Sequence, residues 1–119
     1  MATSIPEEEY LPDIYRRFRG AHAGVADAYA GLAAACRGAG PLSVREQRLA
    51  KLGIAVGLGS EGAVRSHVRR GLSEGVRADE LLHAILLAVP TAGFPATVAA
   101  YQWATEVLDH EDSGPHDGA

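Results

Sequence analysis

The run "EGAVRSHVRRGL" places one histidine, His67, in the middle of a helix-like segment. An imidazole has an ordinary pKa of about 6.5, so it can give or take a proton near neutral pH. At three- and four-residue spacing its neighbours are Ala63, Val64, Val68 and Gly71. That pattern turns His67 towards the interior, with Gly71 leaving room beside the ring. A second histidine, His83 in "ELLHAI", lies one helix later beside an apolar stripe, where it can meet His67 across a helix pair. The nearest carboxylate, Glu61, stands six residues before His67. On an α-helix that leaves the two side chains about 120° apart. Glu61 joins His67 if the first turn is irregular, and otherwise suits the helix N-terminus electrostatically. Arg65 and Arg69 share a face, while Arg70 leans towards Gly71. One of Arg65 and Arg70 is a candidate to seat a substrate carboxylate, against the alternative of a solvated face paired with acids. Tyr101 and Trp103 in "AAYQWA" either line a pocket or pack at a contact, uses that suit large amphipathic rings. Two histidines without a clear carboxylate partner make a poor metal site. The acid/base chemistry outlined here needs neither a metal nor an organic cofactor.

The elements that must position these residues are helices. Alanine and leucine dominate and aromatics reach only 6%, which favours helix over strand. No two-residue alternation or hairpin signal interrupts the chain. Residues 1–10 read as a polar arm, and "LPDIYRRFRG" as a short helix with Pro12 in its first turn. A second helix spans roughly His22 to Arg37, with Val25, Ala28, Tyr29, Leu32 and Cys36 along one stripe. Ser43 and Glu46 form a Ser-x-x-Glu capping box that opens the third helix. Val44, Leu49, Leu52, Ile54, Ala55 and Leu58 make that helix central, and Gly57 and Gly59 close it. Ser60 caps the fourth helix. The fifth, near Ala78 to Thr91, packs Leu81, Leu82, Ile85, Leu86 and Val89 on one face, and Pro90 bends or ends it. A last helix follows "GFP" and runs to about Leu108, ahead of a polar tail. The expected fold is all-α, an orthogonal bundle of about six helices forming a single domain over 11–110, with a disordered tail at 111–119.

Composition narrows the function classes. Apolar residues make up 47% of the 119, enough to build a core without staples. A formal charge of −4 argues against a general nucleic-acid binder, which needs a basic excess. The lone Cys36 rules out an internal disulfide and suits a reducing compartment. The amino end lacks the basic start and apolar run of a secretory signal. No apolar run approaches the roughly 20 residues of a membrane span. These features lead us to expect a cytoplasmic protein, with neither nucleic acid nor membrane as partner.

The order of the pieces resembles the carboxymuconolactone decarboxylase-like family, which includes the alkylhydroperoxidase D-like proteins. The matching pieces are Leu42 to Glu46, the central His67, Gly75 to Leu81 and Gly93-Phe94-Pro95-Ala96, covering roughly residues 40 to 108. The resemblance implies an all-helical subunit that assembles into homo-oligomers, dimers, trimers or hexamers, with sites near subunit contacts. In the peroxidase branch two cysteines precede the histidine by seven and four positions, with a glutamate three further back. Here those positions hold Ser60, Ala63 and Gly57. Serine and alanine form neither a sulfenic acid nor a disulfide, so the two-cysteine mechanism is excluded. The decarboxylases carry a glutamate one turn before the histidine, where this chain has Ala63, and a histidine after two leucines, where it has His83.

Three readings follow. The first is a cofactor-free decarboxylase-type lyase or isomerase acting on a small carboxylated or lactone-type molecule, with His67 as acid/base. The second is a non-catalytic oligomeric binding or scaffold protein of the same fold. The third is a peroxidase relative relying on Cys36, disfavoured because the cysteine pair is missing. Near-continuous apolar faces on the third and fifth helices favour a trimer or hexamer, since soluble monomers seldom expose a large apolar patch.

Overall fold

The computed structural model describes residues 13–113, with the side chains of the last two left aside. The expected polar arm, Pro12 and most of the expected tail lie outside that range. Seven helices occur among the described residues, and no strand: α1 (Asp13–Ala21), α2 (Ala23–Arg37), α3 (Val44–Leu58), α4 (Glu61–Ser73), α5 (Ala78–Leu86), α6 (Val89–Ala92) and α7 (Phe94–Ser113). The all-α expectation holds, with one short helix more than the approximate six. The chain falls into two units divided after Pro41. In the first, α1 and α2 pack on each other. Neither contains a buried residue.

The second unit holds the core. Helix α3 packs against α4 and α5, and α7 packs against the same two. Leu52 and Val56 of α3, Val64 and Val68 of α4, Leu81 and Ile85 of α5, and Ala100 and Ala104 of α7 close the centre. Burying side chains of this size contributes about 1.5–3 kcal/mol for each larger one, which is what holds the four helices together. The start of α3 is as the sequence reads. Ser43 Oγ accepts from the Glu46 N–H at 3.1 Å, and the Ser43 N–H donates to Glu46 Oε1 at 2.8 Å. Gly59 ends the helix with φ of 67°, a left-handed conformation that costs glycine nothing. Ser60 then caps α4, its Oγ accepting from the Ala63 N–H at 3.4 Å.

Two expectations need correction. The fifth helix stops at Leu86 instead of Thr91, and a separate turn begins at Val89 with Pro90 inside it. The pyrrolidine ring of Pro90 would collide with the carbonyl four residues back, that of Leu86, so regular helix ends there. The last helix continues to Ser113, about five residues past the expected end at Leu108. Polar residues 109–111 are exposed and tolerated on a helix, and the first strong breakers in the sequence are Gly114 and Pro115. The near-continuous apolar faces expected on α3 and α5 are covered only in part within the chain. Leu52, Ala55, Leu81 and Ile85 are buried, whereas Val44, Ile54, Leu58 and Leu86 are exposed.

Candidate functional site

Arg48 sits on the core-facing side of α3, one turn before Leu52 and two before Ala55, and is only 9% exposed. A guanidinium tolerates such a place only when its donors are satisfied. Two of them bind Glu74 at the end of α4: Nε donates to Oε1 at 2.9 Å and Nη2 to Oε2 at 2.7 Å. This is the fork-to-fork geometry that arginine and carboxylate favour. The third, Nη1, lies 2.7 Å from Nδ1 of His67. An α3 arginine, the α4 histidine and the residue capping the C-terminus of α4 thus form one chain of contacts along the α3–α4 seam.

The electrostatics of the seam keep the ring neutral. Burial pushes the His67 pKa down, the Arg48, Arg70 and Lys51 cations push further, and Glu74 opposes them, leaving it at about 4. Arg48's hydrogen bonds hold the Glu74 carboxyl below its usual range against the opposing effect of burial, with Arg70 and Lys51 assisting. Three cations therefore act on this stretch against one carboxylate. The expectation of an acid/base titrating near 6.5 meets a different environment: at neutral pH His67 is uncharged.

The space beside His67 is also used differently. A Cβ placed on Gly71 would come 2.8 Å from Leu81 Cδ2 and 3.3 Å from Arg48 Cγ. Gly71 makes room for the Leu81 side chain and for the arginine's stem.

The remaining candidates are spread over the unit. Arg70 acts electrostatically on His67 and so belongs to the same neighbourhood. Glu61 instead pairs with Arg65 at 2.9 Å, one turn along α4, with about half its side chain exposed. Arg65 also reaches Glu106 of α7 at 2.5 Å, so it ties α4 to α7. Trp103 is partly buried against the core, and Tyr101 is exposed.

His83 is exposed and lines an open groove of about 650 Å³ between α3 and α5–α6. Ala50, Gly53, Gly57, Ala84 and Ala88 give that groove small-residue walls, and Glu80 is its acidic member. Glu80 is already engaged, by Arg45 at 2.8 Å and by the Arg77 backbone N–H at 2.9 Å. His67 is not among the groove's lining residues. Arg48 and Lys51 stand on the α4 side of α3, while Gly53 and Gly57 lie about half a turn away, so the helix itself separates the two histidines. Among the described residues, no cluster of three or more His, Cys, Asp or Glu side chains is arranged to hold a metal ion.

Arg48, Lys51 and Glu74 escaped the reading of the sequence. A charged residue in register with Val44, Leu52 and Ala55 was the available signal for the first. For Glu74 it was a carboxylate at a helix C-terminus, where the dipole disfavours it.

The structure defines a small all-helical protein whose fourth helix presents a half-buried histidine clamped by an arginine–glutamate pair. Its sequence matches the family described as the carboxymuconolactone decarboxylase family over residues 23–106, and the chain belongs to that family. No curated protein and no solved structure matches it. No helix among the described residues is long and apolar enough to cross a membrane.

Proposed function

We propose that the chain is a cofactor-free enzyme of the decarboxylase or isomerase type, acting on a small carboxylated or lactone-type molecule at His67. The observation that carries this reading is the cation-rich seam: a neutral, half-buried imidazole bonded to Arg48, with Arg70 and Lys51 acting on the same ring. Such a site suits a reaction in which negative charge moves from a carboxylate into a ring carbonyl. In a decarboxylation the bond to the carboxylate carbon breaks and its electron pair passes to the carbonyl oxygen as an enolate. Carbon dioxide leaves, and the enolate carbon takes a proton from water. The hydroxide left behind combines with carbon dioxide as bicarbonate, so atoms and charge balance. His67, Arg70 and Lys51 are the residues assigned to this chemistry. Glu61, Arg65, His83, Tyr101 and Trp103 are not needed for it.

The closed contact chain from His67 through Arg48 to Glu74 also favours the second reading, a structural histidine in a non-catalytic oligomer. Screening carboxylated lactones for bicarbonate release, with wild type and His67→Ala side by side, separates the two. The enzyme reading expects turnover that falls about 100-fold or more in the variant. Turnover equal in both proteins rejects His67 as the centre. The peroxidase reading has little support, since Ser60 is spent as a helix cap and the sequence holds no second cysteine to resolve a sulfenic acid formed on Cys36.

We further propose that the protein works as a homo-oligomer, a trimer or hexamer. The support is the apolar surface left on the second unit, where Ile54, Leu58 and Leu87 are 62%, 76% and 59% exposed.

A further inference from the structure

A guanidinium has donors and no acceptor, and it keeps its protons at any working pH. The 2.7 Å contact between Arg48 Nη1 and His67 Nδ1 is therefore a hydrogen bond in which the arginine donates and the Nδ1 lone pair accepts. The fork cannot swing away cheaply, because Nε and Nη2 are both held by Glu74 and the arginine's stem is packed where a Gly71 side chain would otherwise stand. A neutral imidazole carries a single N–H. With Nδ1 accepting, that hydrogen is on Nε2. We infer that Arg48 and Glu74 are positioning residues that hold His67 as the Nε2–H tautomer, so that its remaining nitrogen is a hydrogen-bond donor and not a proton acceptor.

This deepens the reading above and rests on it for its use: the Nε2–H would meet the carbonyl oxygen that gathers charge as carbon dioxide leaves. Preorganised donors at such an oxygen are worth most where water is partly excluded and nothing must reorient during the reaction. The role differs from general-base catalysis, which needs a free lone pair that His67 does not offer.

The tautomer is measurable without any substrate. Protonated and unprotonated ring nitrogens differ widely in 15N shift, and rapid tautomer exchange averages the two. In the 15N-histidine-labelled full chain at neutral pH, His67 should show one protonated nitrogen, Nε2, and one unprotonated, Nδ1. His83, whose ring makes no hydrogen bond among the described residues, supplies the averaged reference. Arg48→Met should average the two His67 nitrogens and raise the ring's titration midpoint by about one unit or more, towards about 6.5. Arg48→Lys keeps the charge but not the fork, so it should lose the single tautomer while the midpoint stays low. It also serves as the test should the methionine variant not fold.

A wild-type ring with averaged nitrogens, or with the proton on Nδ1, overturns the inference. An Arg48→Lys ring that keeps a pure Nε2–H tautomer does the same. If the single tautomer is seen but no lactone is turned over, the catalytic reading fails and the positioning role stands.

Discussion

Glu74 ends α4 with the unfavourable sign of charge. Carboxylates at a helix C-terminus face the negative end of the dipole, at a cost of about 0.3–1 kcal/mol. Arg48 breaks a rule of its own by standing on a core-facing stripe. The two exceptions resolve each other through the bidentate pair, and the remaining donor reaches His67. Removing one member should therefore cost more than removing both. Arg48→Met should destabilise the protein by about 2–3 kcal/mol, below the 3–5 of a fully buried pair, because the Glu74 side chain keeps 27% exposure. Adding Glu74→Gln should recover part of that loss in a double-mutant cycle followed by urea unfolding. His67 supplies a pH dependence of definite sign. Folded His67 binds its proton only near pH 4, whereas the unfolded chain binds it near pH 6.5. Between those values the unfolded state holds the extra proton, so stability rises with pH by at most about 1.4 kcal/mol per unit and levels off above 6.5. His67→Asn should flatten that window in urea midpoints taken from pH 4 to 7. A variant with the wild-type slope would place the titration elsewhere. The imidazole itself was legible in the sequence through its apolar neighbours at helical spacing. Its partners were not, because Arg48 lies 19 residues away in another helix, and only the tertiary register brings the two together.

At the scale of the element, the legible features were those with a local cause. The Ser43–Glu46 box, the Gly59 stop and the Ser60 cap depend on neighbouring residues alone, and all three stand where the pattern puts them. Ser43→Ala should cost about 1 kcal/mol, since it orphans an amide that no other side chain reaches. Ser60→Ala should cost less, because its 3.4 Å bond is already long. Thermal unfolding of the two variants orders them, and the reverse order would contradict the geometry. The misread boundaries also have local causes, differently weighed. Pro90 acts four residues back, on the carbonyl of Leu86, and so removes a full turn from the expected fifth helix. The polar run after Leu108 does not end the last helix, because polar side chains on an exposed helix cost little, and Ser113 is still helical. Helix α4 shows how one element serves several ends. Val64 and Val68 face the core, Arg65 binds α7, and His67 turns towards α3.

The whole molecule poses a question about two glycines. Gly53 and Gly57 lie inside or near the end of α3, and a Cβ on either would meet nothing within 4 Å. Each costs up to about 1 kcal/mol of helix stability relative to alanine, and no contact among the described residues repays it. Both line the groove, beside the exposed Ile54 and Leu87. If another copy covers this face, as the proposed assembly requires of some apolar surface, the missing side chains allow a close backbone approach. Gly53→Ala then has opposite effects at two levels. In dilute solution, where monomers dominate, it should raise stability by about 0.5–1 kcal/mol. At higher concentration it should weaken association, lowering the mass measured by light scattering relative to wild type at equal concentration. Leu87→Glu should lower that mass further by placing a charge on the same wall, with little effect on monomer stability because the residue is 59% exposed. Should wild type remain at the monomer mass of 12.4 kDa at every concentration, the homo-oligomer is rejected. A wild-type oligomer whose mass is unmoved by either substitution would shift the contact to a different apolar face, such as the one carrying Val98 and Phe94 on α7.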